Sequence, residues 1–392
     1  MSCGPSGVEQ GTALGAPRAK PPAPRPGGFR YPRLRHPAAA DPGARCRSAL
    51  CPRRLVRWAV MRRKTPVPPS PLPQRDGVDP VRLRLPFGEA WATVRDHLVA
   101  RLAAGDGVID GMLDAGLIVG ADGRAVASDA AYVPGMYVWF HRALPDEVRV
   151  PYPVEVVYRD EHIVVADKPH FLATTPRGSH VAETALARLR RDLGIPALTA
   201  AHRLDRLTAG LVLFTVWPEE RGTYQTLFRD RRVAKEYEAV AAYDPEVTLP
   251  RTVRSRIVKE RGVMTAHEVA GEPNAVSRIE LLEHRAGLGR YRLLPRTGQT
   301  HQLRVHMNAL GLPILGDPLY PVVAGPGPAG DFRRPLQLLA RVLEFTDPVT
   351  GHAHRFVSER VLRAWPTYES WARWCCGRKG LPEAGEPFRS PH

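Results

Sequence analysis

Cysteine is scarce and confined to the ends of the chain: Cys3, Cys46, Cys51, Cys375 and Cys376 are all there is. None of their spacings matches the paired ligands of a zinc site, none stands near a histidine in the middle of the chain, and so few thiols fit a reducing cytoplasm. Long apolar runs are missing too. Nothing approaches the roughly 20 residues that a membrane-spanning helix requires, so no membrane association is expected. There is no glycine-rich phosphate loop after a strand and no Gly-x-Ser-x-Gly elbow, which sets aside nucleotide-cradling and serine-hydrolase chemistry. His301 and His306 are five residues apart, about 140° around a helix, where a metal pair wants a four-residue spacing. They read as structural or polar-network residues.

What is present points to a polyanion. The 392 residues are 43% hydrophobic and 24% charged, with a formal net charge of +16. Such a balance favours nucleic acid first and acidic membrane second. The charge is uneven. Before residue 61, eleven arginines and lysines face only Glu9 and Asp41, a local excess of +9 that leaves +7 for the remainder.

Residues 1–76, rich in Pro and Arg and without hydrophobic periodicity, read as a disordered extension. The prolines argue against the amphipathic helix of a transit peptide. Met61-Arg62-Arg63-Lys64 looks like a start of the protein proper, the first 60 residues being an upstream extension. Residues 77–148 read as a small accessory domain, possessing a helix marked by Trp91, Val94, His97, Leu98 and Leu102 and a hairpin whose turn is Ala121-Asp122-Gly123-Arg124. Residues 149–370 are strand-rich, and 371–392 form a short polar tail. Strands are expected at 154–158, 162–166, 211–215, 233–240, 277–283, 291–294 and 336–345, with helices at 183–193, 219–231 and 300–310. Thr300 would cap the last helix, which Gly311 and Pro313 end. Clustered strands without strict strand-helix alternation give an α+β class with a large mixed or antiparallel sheet and flanking helices.

Within that region Asp205 precedes the apolar strand 211–215. Alone, such an aspartate is usually a turn cap. Arg203 and Asp205 alternate with Leu204, so an extended segment sets both charges on one face, and Lys235 and Tyr237 share a face in the same way. Arg304 falls in the first turn or so of the helix at 300–310. Asp317, between Gly316 and Pro318, reads as a turn cap.

These segments together resemble the RluA-type RNA pseudouridine synthases. The carriers are His202-Arg203-Leu204-Asp205-Arg206-Leu207-Thr208-Ala209-Gly210, Lys235-Glu236-Tyr237, the run from Thr297 to His306, and Gly311-Leu312-Pro313-Ile314-Leu315-Gly316-Asp317. Asp167-Lys168-Pro169 and Leu338-Leu339-Ala340 join them, so that the likeness spans about 154 to 356. The family usually has Ser at position 209 and a polar residue at 207, which bears on the hydrogen bonding of this turn. The helix-then-hairpin order of 77–148 is similar to the small RNA-binding domain of many ribosomal RNA members.

The resemblance implies a pseudouridine synthase fold and isomerisation of uridine to pseudouridine in RNA, ribosomal RNA favoured over transfer RNA, with no metal, redox or small-molecule cofactor. It implies Asp205 as the carboxylate that attacks C1′ or removes the 2′ proton, and Arg304 as the cation that pairs with it. Tyr237 corresponds to the aromatic that stacks on uracil and serves also as an acceptor for the C5 proton, and Arg203 to a residue inserting where the base leaves the stack. Arg229, Arg231, Arg232 and Lys235 would hold the RNA backbone. A cytoplasmic monomer is expected. The rival readings are a catalytically silent RNA-binding protein on the same fold, and a hydrolase, which would need a second carboxylate across the bond.

Overall fold

The computed structural model describes residues 67–369 and Trp371, apart from 103–104, 143–145, 325–327 and 329. The start at Met61, all five cysteines and most of the tail lie outside the described residues. Trp371 itself is buried with Ala209, Leu362 and Ala364. Residues 67–80 carry no regular element, yet Gln74 donates to the Pro196 carbonyl at 2.8 Å and Val78 packs on Val181 and Ala187.

Next come β1 (Val81–Arg84), α1 (Val94–Leu102), α2 (Asp106–Asp114), β2 (Ile118–Gly120) and β3 (Tyr137–Phe140), the strands forming an antiparallel sheet in the order β1-β3-β2. Helix α1 starts after Trp91, because Thr93 and Asp96 exchange hydrogen bonds between side chain and backbone at 3.1 and 3.2 Å, a reciprocal cap. The Asp122-Gly123 turn forms, Gly123 taking φ 78. The expected hairpin does not extend beyond it: the returning chain makes only the bridge Val119 to Ala125, and β2 pairs with β3. Helix α2 was hidden by Gly107 and Gly111, which weaken helical propensity; its buried Ile109 and Leu113, four residues apart, tie it to the same core as Leu98 and Val138.

The remaining elements are β4 (Glu155–Arg159), β5 (Ile163–Lys168), α3 (Ala185–Leu193), β6 (Thr199–Ala200), β7 (Ala209–Thr215), α4 (Arg221–Arg229), β8 (Ala234–Ala242), β9 (Arg251–Val258), β10 (His267–Val269), β11 (Ala275–Arg285), β12 (Leu288–Pro295), α5 (Gln302–Ala309), β13 (Leu338–Thr346) and β14 (Ala353–Val357). All the strands join one 11-stranded sheet, with the path β10-β9-β11-β12-β8-β13-β7-β5-β4, β14 lying on β13 and β6 on β7. Among the described strands only β13 and β7 pair in parallel, so the class is α+β with a mixed sheet, as the sequence pattern implied.

Strands β5 and β7 are buried along their whole length. Alternation explains why. Val164, Ala166, Val212 and Phe214 pack with Leu186 and Leu189 of α3, while Ile163, Val165, Leu211 and Leu213 pack with Tyr224 and Leu227 of α4. Helix α3 begins at 185 because the Thr184 side chain accepts the Ala187 N–H, and it ends on Gly194 at φ 65. Helix α5 lays Leu303 and Met307 against Ile279, Tyr291 and Leu293. Among the described residues no helix is long and apolar enough to cross a membrane.

Candidate active site

Asp205 sits between β6 and β7, where the Thr208 N–H closes a turn on the Asp205 carbonyl at 3.1 Å. The turn is held residue by residue from below. The Thr174 hydroxyl accepts from Leu204 N–H at 3.1 Å and donates to Leu204 C=O at 2.9 Å. His170 Nδ1 donates to Leu207 C=O at 2.8 Å. Lys168 Nζ donates to the carbonyls of Pro169, Leu172 and, at 3.4 Å, Arg206. His202 Nε2 accepts from Leu213 N–H at 3.1 Å, and the ring stacks on Phe228. Gly210 is required at the start of β7, since a Cβ there would lie 2.3 Å from the Ala340 carbonyl oxygen of β13. The unusual Leu207 and Ala209 disturb none of this, because backbone groups make the bonds and Ala209 is simply buried.

Burial dominates the electrostatics under the turn. It pushes the Lys168 ammonium down to about 7, the Asp205 charge opposing the shift. His202 is driven down to about 3 and His170 to about 4, so both imidazoles are neutral near pH 7.

Above the turn, a cavity of about 490 Å³ collects Arg203 and Asp205 from the turn itself, Tyr237 from β8 and Arg304 from α5. Asp205 Oδ2 lies 3.7 Å from Arg304 Nη1 and 3.9 Å from His301 Nε2, and its side chain is 30% exposed. The firm partner of Arg304 is another acid: Nε and Nη2 donate to Asp317 at 2.7 and 2.6 Å, a buried bidentate pair. Asp317 does cap its turn, accepting Leu319 N–H at 2.9 Å, but it also aims the guanidinium. Arg203 is exposed on the cavity wall, with no ion pair to Asp205 among the described residues, so the cation beside the acid is Arg304, with the His301 ring as its other polar neighbour.

Tyr237 and Lys235 face the cavity from β8. Burial and the Asp205 charge push the Tyr237 phenol up, so it remains protonated, which removes it as a phenolate acceptor for a proton. Lys235 Nζ donates weakly to Thr297 C=O at 3.4 Å and meets no carboxylate among the described residues. Arg229, Arg231 and Arg296 complete the basic wall, Arg231 in a left-handed conformation at φ 58. Among the described residues Asp205 is the single acid in the lining.

The expected cap of α5 shifts by one. His301, at φ 57, is the N-cap and makes no capping side-chain bond. Instead the Gln302 amide oxygen accepts from Thr297 Oγ1 at 2.7 Å and Gln299 N–H at 3.0 Å, which satisfies the incoming loop and leaves Thr300 free of that role. His306 binds Ser255 at 3.1 Å and belongs to a polar network.

The sequence profile of the RNA pseudouridylate synthase family matches residues 162–309. The dual-specificity RNA pseudouridine synthase RluA of Pasteurella multocida is 34% identical over 215 residues, 51% of this chain and 90% of that one. The ribosomal large subunit pseudouridine synthase D of Pseudomonas aeruginosa is 33% identical over 216 residues, 50% of this chain and 65% of that one. Among solved structures, human RNA pseudouridylate synthase domain containing 1 superposes with a TM-score of 0.44 at 22% identity, over 56% of this chain and 87% of that one. By its match to nine-tenths of a curated relative, the chain belongs to the RNA pseudouridine synthase family, on its RluA-type branch.

Proposed function

We propose that this protein isomerises uridine to pseudouridine in structured RNA, ribosomal RNA in preference to transfer RNA, with Asp205 as the carboxylate that acts at the sugar. The observation that carries this reading is a lone, part-exposed aspartate in a basic cavity, flanked by a guanidinium that a second, buried aspartate already neutralises. A protein that only bound RNA would gain nothing from an acid that repels phosphate.

The chemistry breaks the N1–C1′ bond, turns the uracil in place and joins C5 to C1′. Reaching those atoms means flipping the nucleotide out of its stack, at a cost of a few kcal/mol. Tyr237 offers a ring on which the uracil stacks, Arg203 occupies the exposed rim where the base leaves, and Lys235, Arg229, Arg231 and Arg296 face the phosphates. Chemical mapping of pseudouridine in total RNA, with and without the gene, tests the proposal: a ribosomal RNA position should lose its modification in the gene's absence. Loss confined to transfer RNA would overturn the ribosomal preference, and no change at all would overturn the activity.

A further inference from the structure

On the reading of the site just given, a base must take the proton from C5 once C5 is bonded to C1′, and Tyr237 is held as a phenol. We infer that His301 Nε2 is that base. The assignment rests on hydrogen bonds that fix which ring nitrogen bears the proton. The Tyr320 hydroxyl donates its one proton to the carbonyl of buried Ala266 at 2.7 Å and accepts the Ala266 N–H at 2.8 Å. Toward His301 Nδ1, 3.0 Å away, the Tyr320 oxygen can therefore only accept. Nδ1 carries the hydrogen, and Nε2 presents a bare lone pair. His301 lines the cavity, and its Nε2 stands 3.9 Å from Asp205 Oδ2, too far for a bond between them but close enough that both reach one nucleotide.

The placement has a backbone cost. His301 holds φ 57, a left-handed conformation that a non-glycine residue rarely keeps without reason. The other histidine in the cavity is not available, since His202 Nε2 is engaged by Leu213 N–H. Burial, opposed by the Asp205 charge, lowers His301 below the ordinary histidine range and keeps its ring neutral near pH 7.

The step balances. The C5 proton passes to Nε2, and the C–H electron pair forms the C5–C6 double bond. The C6–N1 π pair moves to N1, which takes a proton from water, and the imidazolium returns its own to water.

The test compares the full-length protein with His301→Gln on ribosomal RNA transcribed with uridine or 5-deuterouridine. The variant should lose at least about 100-fold in kcat with KM little changed, show a larger C5-deuterium isotope effect than the parent, and regain turnover with added imidazole. Turnover within threefold of the parent, or a loss with no change in isotope effect and no rescue, overturns the inference. Should His301→Gln fail to fold, Tyr320→Phe serves: freeing Nδ1 from its acceptor should lower kcat and raise the isotope effect, and parent-like values of both would overturn it. If the parent forms no pseudouridine, the functional reading falls and this inference with it. Parent-rate conversion by His301→Gln overturns this inference alone.

Discussion

The two faces of β8 treat charge in opposite ways. On one, Glu236 pairs with Arg292 at 2.6 Å and Glu238 with Arg341 at 2.9 Å, and Arg290 joins Glu283 at 2.6 Å. On the other, Lys235 and Tyr237 look into the cavity, whose lining among the described residues holds six arginines and lysines but one acid, Asp205. A face whose charges are already matched has no use for an ionic ligand. A half-buried cation without a carboxylate is tolerated at a cost that a bound phosphate would offset.

The largest effect should come from breaking the buried ion pair on the cavity side. Asp317→Asn leaves Arg304 buried beside a neutral partner, and chemical denaturation should show a loss of about 3–5 kcal/mol. An unchanged midpoint would mean that the pair contributes little to the fold.

Acid comes next, and it acts on the two histidines that hold the Asp205 turn. His202 and His170 are depressed to about 3 and 4 in the folded protein, below the 6.5 of an unfolded histidine. The unfolded chain therefore binds more protons between those values, so stability is full above pH 6.5 and falls as pH drops, by about 1.4 kcal/mol per unit for each histidine. His202→Asn should make that slope shallower. A slope identical to the parent's would show that His202 is not held neutral.

Lys235→Met sharpens the contrast with effects of opposite sign. Removing an uncompensated cation should leave stability equal or higher, while RNA affinity falls and the salt dependence of binding loses about one unit of slope. The smallest effect belongs to the matched face: Arg292→Gln should change stability by less than about 1 kcal/mol and leave the salt slope untouched. Equal slopes for the two variants would erase the distinction between the faces.

Much of this site could be read from the chain, because Asp205, Tyr237 and Arg304 sit in ordered motifs and strand alternation sends Lys235 and Tyr237 the same way. The supporting residues were not legible. Thr174 grips Leu204 across 30 residues, and Asp317, in its Gly-Asp-Pro setting, looks like a turn cap because it is one; nothing local shows that its other lone pairs hold Arg304. His301 was set aside along with a metal pair, since a left-handed φ and a fixed tautomer arise only when Tyr320 and Ala266 are folded against it. In the sheet, the apolar-rich strands announced themselves, while β9, whose sequence is RTVRSRIV, hid its alternation among arginines, and β10, at three residues, is too short to stand out.

The most direct test of Asp205 is tritium release from C5-labelled uridine in ribosomal RNA, measured for the parent and for Asp205→Asn under conditions where both bind the RNA. The parent should release tritium without freeing uracil, and the variant should retain less than about a hundredth of that rate. Release by the variant near the parental rate, or free uracil from the parent, would contradict the role given to Asp205.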